Sequence, residues 1–231
     1  METVIFEDLG RMDYQRAWDY QEQLLKENVR LKTEARADNG LAPTTHRLLF
    51  VEHPPVYTLG KSGHMENVLL DDAAMEEKGA HFFRTNRGGD ITFHGPGQLV
   101  GYPILDLERF RTDLGWYLRS LEEVGIRVLA DYGIVGDRSP GETGIWIDPG
   151  VKGRERKICA LGVRCSRWIT MHGFALNVNT DLSWFGNIIP CGIADKQVTS
   201  LEKELGRPVD VEVVKERWKC RFEDVFDARL G

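Results

Sequence analysis

Two stretches of the chain gather residues that do chemistry at close spacing, and a third sits beside them. The densest is Arg87-Gly88-Gly89-Asp90-Ile91-Thr92-Phe93-His94-Gly95-Pro96-Gly97-Gln98. Its glycines let backbone approach a ligand closely, while Arg87, Thr92, His94 and Gln98 offer donors around it. Two tight turns flanking a strand would use the same residues, so composition alone leaves both readings open. Neither a P-loop lysine nor a GxGxxG fingerprint occurs in it, which argues against a nucleotide-phosphate site.

The second stretch is Ile189-Pro190-Cys191-Gly192-Ile193, a thiol between a φ-locked residue and a permissive one. A lone cysteine is ordinarily a buried core thiol. Proline and glycine on either side suit an exposed turn better, so Cys191 is a candidate reactive thiol. Cys220 falls in the helical pattern of Trp218 and Phe222, and Cys159 and Cys165 in a strand pattern; all three read as packed. The third stretch is the basic cluster Lys152, Arg154, Arg156 and Lys157, leading into the apolar run Ile158 to Val163. Most of it reads as a solvated loop. Lys157 opens the strand, and if carried inward its ammonium would lower the pKa of a nearby thiol by stabilising the thiolate.

The elements that must position these residues follow from composition and period. With 231 residues, 42% hydrophobic content, six Trp and ten Phe, the chain can fill a core. Charged residues make up 29%, and no run approaches a membrane-spanning length. The N-terminus lacks the basic and apolar regions of a secretory signal, so a cytosolic location without a membrane span is expected. Thirty basic against thirty-six acidic residues give 30 − 36 = −6, which argues against nucleic acid as a partner. Four cysteines without a CxxC pair fit neither a disulfide framework nor a zinc site.

A strand at Val4 to Phe6 precedes a helix carrying Tyr14, Ala17, Trp18, Leu24 and Leu25 behind a cap at Asp13. From Asn28 to Thr45 the period fades, so the helix should fray there into an exposed loop. Strands are predicted at Arg47 to Glu52, Val56 to Leu59, Phe82 to Thr85, Asp90 to Phe93, Leu99 to Leu105, Gly144 to Ile147, Lys157 to Arg164 and Ile169 to Val178. A second helix runs from Leu114 to Val124, where Gly125 can end it, and Val214, Trp218, Phe222 and Val225 mark a third. Strands outnumber helices without βαβ alternation, which predicts one α+β domain with mixed sheets flanked by helices.

Taken together, Arg87 to Gln98 with Tyr102, Lys157-Ile158-Cys159-Ala160-Leu161-Gly162, His172-Gly173 with Asn177, and Pro190-Cys191-Gly192 with Thr199-Ser200 resemble the lipoyl(octanoyl) transferase family, in the family's order. The stretch from Glu52 to Gly60 is similar too, and the combination is far more specific than any one motif. The resemblance implies a single catalytic domain over residues 1–231, akin to those of biotin and lipoate protein ligases. It implies transfer of an octanoyl, or lipoyl, group from acyl carrier protein to a lysine of lipoyl domains. Those acceptors belong to 2-oxoacid dehydrogenase complexes and the glycine cleavage H protein. By the same resemblance Cys191 is the acyl-thioester nucleophile and Lys157 tunes it. Arg87, Gly88, Gly89, Asp90, Ile91, Thr92, Phe93, His94, Ala160, Leu161, Gly162, Gly173, Phe174 and Ala175 wall the acyl pocket, with no cofactor and no metal.

Thioester exchange onto a thiol is close to isoenergetic, so such a cysteine needs no ATP. From Lys152 to Arg167 six basic residues face one acid, Glu155, a local balance of 6 − 1 = +5. Acyl carrier proteins are acidic as a class, so Arg154 and Arg156 are expected to form a docking rim while Lys157 points inward. Two features depart from the family. Cys159 stands where a small apolar residue is common, on the Lys157 face if the strand alternates, and the stretch Asn28 to Thr45 is long. Competing readings are an ATP-dependent lipoate–protein ligase, a cysteine hydrolase with His172 as base, and a non-catalytic acyl-carrier-binding module.

Overall fold

The computed structural model describes residues 1–37, 42–189 and 197–231. β1 (Glu2–Arg11) leads to Asp13, whose carboxylate accepts the N–H of Gln15 at 2.9 Å and so caps α1 (Tyr14–Ala37). The helix overruns the break expected at Asn28. There the Asn28 amide donates to the Thr45 carbonyl and accepts the Thr45 N–H, each at 2.9 Å. One turn later Lys32, only 2% exposed, pairs with Asp106 at 2.6 Å and with Glu108 at 3.0 Å. Residues that read as a solvated fray are therefore inward anchors; the positions 38–41 lie outside the described residues.

There follow β2 (His46–Glu52), β3 (Val56–Leu59), α2 (Asp72–Glu77), β4 (His81–Arg84), β5 (Ile91–His94), β6 (Gln98–Ile104), α3 (Leu114–Ala130), β7 (Gly136–Asp137) and β8 (Ile145–Ile147). The chain continues with β9 (Arg156–Ser166), β10 (Ile169–Asn177), β11 (Gln197–Val198), α4 (Leu201–Leu205), α5 (Val211–Phe226) and β12 (Ala228–Leu230). The larger sheet has the order β12-β1-β2-β6-β10-β9-β8-β7 with β11 beside β9, and the smaller is β4-β3-β5. β1 is parallel to β2 and β12, whereas β2, β6, β10 and β9 are successively antiparallel. The expected α+β class with mixed sheets holds.

β6 and β10 are buried at every position because helices cover both faces of the sheet. Alternation sends Val100, Tyr102 and Ala175 towards Ala17 and Leu25 of α1, and Leu99, Phe174 and Leu176 towards Leu121, Val124, Trp218 and Phe222 of α3 and α5. Phe174 stacks on Trp218 with centroids 3.7 Å apart, a contact worth about 1 kcal/mol beyond the buried area. Gly125 does not end α3. It sits inside the helix because a Cβ there would strike Ile145 and crowd Trp218. In α5 the buried stripe is Val214, Trp218, Phe222 and Phe226, with Val225 at its margin. No helix among the described residues is long and apolar enough to cross a membrane.

Candidate active site

A cavity of about 400 Å³ lies between the smaller sheet and the β6, β9 and β10 strands of the larger one. Of the residues singled out from sequence, Arg87, Gly89, Asp90, Ile91, Thr92, His94, Lys157, Ala160, Leu161, Gly162, Gly173, Phe174 and Ala175 border it. Gly88 and Phe93 do not. The Gly88 N–H donates to the Val163 carbonyl at 2.9 Å, and the Phe93 ring stacks on Trp184 at 5.1 Å in a small core of its own. Phe174 borders the cavity while its ring packs against Trp218. Cys191 lies outside the described residues.

Arg87 reads from sequence as a ligand donor, but its guanidinium is a staple within the protein. It is buried and donates to the Thr58 carbonyl, to Thr58 Oγ1 at 2.9 Å, to the Asp90 carbonyl at 2.8 Å and to the Gly88 carbonyl at 3.0 Å. These bonds pin the glycine-rich loop onto β3. On its other side the loop rests on β9, where Gly162 is required: a Cβ there would stand 2.8 Å from the Gly88 carbonyl oxygen.

His94 and Gln98 also look inward. Gln98 Nε2 donates to Asn177 Oδ1 at 2.8 Å and to the Phe93 carbonyl at 3.2 Å, so its Oε1 accepts from His94 Nδ1 at 2.8 Å. Asn177 in turn donates to the Thr199 carbonyl at 3.0 Å. The directions fix the His94 tautomer, leaving Nε2 as an acceptor facing Thr58 Oγ1 at 3.4 Å. Burial, then the neighbouring His53, push His94 down to about 3, so it stays neutral. Beside it, Tyr102 meets His53 Nε2 at 2.7 Å while His53 Nδ1 meets the Met12 carbonyl. Around His94, Gln98 and Tyr102 the cavity wall is thus fixed by hydrogen bonds within the protein.

Lys157 occupies the other end. Its ammonium lies 4.5 Å from the Trp146 ring centroid, and its strand is held by β8 on one side and β11 on the other. Val198, paired with Lys157, also borders the cavity, as does Phe185. A bulge interrupts the expected alternation: Ile145 pairs with Cys159 but Trp146 with Lys157. Ile158 and Cys159 consequently both enter the core, and Cys159 leaves the Lys157 face. Burial pushes its thiol well up. Cys165 is half-buried, and Cys220 is exposed rather than packed, since it lies off the buried stripe of α5.

The neighbouring loop, Gly141 to Thr143, borders the cavity and gave no signal in the sequence. It is held by Glu122, fully buried on α3, whose Oε1 accepts the Gly144 N–H at 2.9 Å while Oε2 pairs with Arg119 at 2.7 Å and Arg138 at 3.2 Å. Tyr14, read only as an apolar helix position, borders the cavity as well.

Folding brings carboxylates to part of the basic cluster. Arg156 pairs with Glu204 at 2.6 Å and Asp148 at 2.7 Å, Arg154 with Asp148 at 3.0 Å, and Arg164 with Glu22 at 2.5 Å. Three carboxylates, Asp148, Glu204 and Glu22, thus offset part of the +5 counted along the sequence. Arg156 is a largely buried ion-pair partner, whereas Arg154 is 68% exposed and stays on the surface beside Asp148.

His172 sits at the end opposite Lys157. It pairs with Val163, six residues along β9 from Lys157, or about 20 Å at strand rise. Burial, then Arg87 and Arg164, push it down to about 3. Such an imidazole is a feeble general base near neutrality, which weakens the hydrolase reading.

The family model for the lipoyl protein ligase A/B catalytic domain matches residues 13–223. The chain is 57% identical to the octanoyltransferase of Flavobacterium psychrophilum, covering 99% of this chain and 98% of that protein. It is 56% identical to the octanoyltransferase of Christiangramia forsetii, covering 96% and 95%. The chain belongs to the octanoyltransferase family. In fold it is similar to lipoate-protein ligase A solved with bound ATP, at a TM-score of 0.72 and 16% identity, covering 100% of this chain and 88% of that one. Within the family frame, the glycine-rich loop, β9 and β10 enclose one cavity whose apolar walls come from Ile91, Ala160, Leu161 and Ala175.

Proposed function

We propose that this protein, acting as a single catalytic domain over residues 1–231, transfers an octanoyl group from acyl carrier protein to a lysine of lipoyl domains. The acyl group passes through a thioester on Cys191. The observation that carries this reading is the placement of Lys157 at one end of an apolar cavity, with Phe185 and Val198 also on its border. Those two residues stand on either side of the segment that contains Cys191, which fits delivery of a thiol to the Lys157 end.

In the first step the Cys191 thiolate attacks the donor's thioester carbonyl, and the carbon–sulfur bond to the phosphopantetheine arm breaks. That arm departs as a thiolate and takes up the proton that Cys191 gave up. In the second step a neutral lysine amine attacks the Cys191 thioester, the amide forms, and the cysteine sulfur leaves with the amine's proton. Lys157 would stabilise the thiolate in both steps and relay that proton. Arg87, Gly88, Gly89, Thr92 and Gly162 would shape the wall along which the acyl chain lies, and Asp90, His94 and Gly173 would keep it rigid.

The donor and acceptors proposed are octanoyl-acyl carrier protein and the lipoyl domains of 2-oxoacid dehydrogenases and of the glycine cleavage H protein. Discharge of octanoyl-acyl carrier protein with and without a lipoyl domain tests the reading. Amide formation on the lipoyl domain without ATP supports it. Discharge to free octanoate at the same rate in both mixtures would make the protein a thioester hydrolase.

A further inference from the structure

His172 carries a feature that the transfer chemistry at the Lys157 end does not use. It adopts a left-handed backbone, φ +57°, held there by its N–H donating to Gln21 Oε1 at 2.9 Å. Only Gly, Asn, Asp and His visit this region with any ease. The side chain is 1% exposed and borders the cavity.

Its tautomer is set from outside. Glu22 Oε1 accepts from Arg164 at 2.5 Å and from Asn86 Nδ2 at 2.9 Å, which turns Asn86 Oδ1 towards His172 Nε2 at 2.7 Å. Nε2 must therefore donate, and Nδ1 is left as a bare acceptor. That Nδ1 is buried and finds no hydrogen-bond partner among the described residues. Next to it, with ring centroids 6.2 Å apart, Trp18 keeps a buried indole N–H that is also without a partner. Buried polar groups are almost always paired, so an unpaired acceptor on a residue that borders the cavity marks a place built for a hydrogen-bond donor. A methyl terminus cannot meet that need, whereas a hydroxyl or a thiol can.

We propose that His172 makes the end of the cavity opposite Lys157 a polar subsite, which takes a hydrogen-bond donor, a hydroxyl or thiol, carried near the far end of the acyl chain. The inference rests on the acyl-pocket reading given above and refines its specificity. A plain octanoyl chain then leaves Nδ1 unpaired, whereas a chain bearing a terminal donor gains the bond.

Titration calorimetry of 8-hydroxyoctanoate against nonanoate, which have equal numbers of heavy atoms, tests this without depending on turnover. The protein should bind the hydroxy acid at least as tightly as nonanoate, although burial of an unpaired hydroxyl would ordinarily weaken it. In His172→Phe the hydroxy acid should fall behind nonanoate by on the order of tenfold. Asn86→Leu, which leaves residue 172 in place but releases the tautomer, should shift the ratio the same way. 8-Mercaptooctanoate should show the same ordering to a smaller degree. Nonanoate preferred by the same factor in wild type and in both variants overturns the subsite, and if the variants fail to fold, a wild-type preference for nonanoate does so alone. Octanoyl transfer that proceeds normally beside such a result leaves the transferase reading standing. Failure of every acid to bind removes the acyl pocket and the subsite together.

Discussion

Acidification should unfold this protein through its interior histidines. Burial is the leading cause that holds His53 at about 4 and both His94 and His172 at about 3, against 6.5 for an exposed imidazole. Below pH 6.5 the unfolded chain binds three protons that the native state refuses, so stability rises with pH across this window and is lost as pH falls. Each group contributes about 1.4 kcal/mol per pH unit once well below 6.5, and the three together about 4 kcal/mol per unit. Glu122, whose carboxyl is raised by burial, opposes this slope as a single group. The three together remove about 10 kcal/mol by pH 4, so a domain in the lower part of the ordinary range, about 5–10 kcal/mol, would fail between about pH 5.5 and 4. Urea unfolding at pH 7.5, 6.5, 5.5 and 5.0 measures the slope directly, and His53→Gln should remove about a third of it. A midpoint unchanged from pH 7.5 to 5.0 would show that these imidazoles are protonated in the native state and would refute the neutral-wall account of the site.

Three further outcomes are expected. Lys157→Ala should raise the pKa of Cys191 and slow its acylation about tenfold or more, read as a shift of the pH–alkylation profile to higher pH. Glu122→Leu leaves the Gly144 N–H unpaired, while Arg119 and Arg138 can turn to solvent; a loss of about 1–3 kcal/mol in urea unfolding is expected, with a raised KM for octanoyl thioesters as the 141–143 loop loosens. Gly162→Val drives a Cβ into the Gly88 carbonyl oxygen and should weaken octanoate binding by at least about tenfold in calorimetry while far-ultraviolet dichroism stays native.

The fold was legible wherever burial has a simple period. β10 is buried along its whole length and reads as a strand, and the α5 stripe reads at helical spacing. What escaped were polar residues turned inward by distant partners. Asn28 and Lys32 look like a fraying helix until Thr45 and Asp106 are beside them. Gly125 looks like a stop until Ile145 packs on it. The same holds at the site. The glycine-rich loop and the β9 and β10 segments were visible as motifs, but that Arg87 is a staple and Arg156 an ion-pair partner depends on Thr58 and Glu204, far away in sequence. The bulge at Ile158 that moves Cys159 off the Lys157 face exists only as a register between two strands.

Transfer as proposed requires that Cys191 carry the acyl group. Intact-mass measurement after incubation with octanoyl-acyl carrier protein, without a lipoyl domain present, reads it most directly. One octanoyl adduct is expected, released by hydroxylamine, mapping to Cys191 and absent from Cys191→Ala. No adduct on the wild-type protein, or an adduct of equal yield on Cys191→Ala, would contradict it.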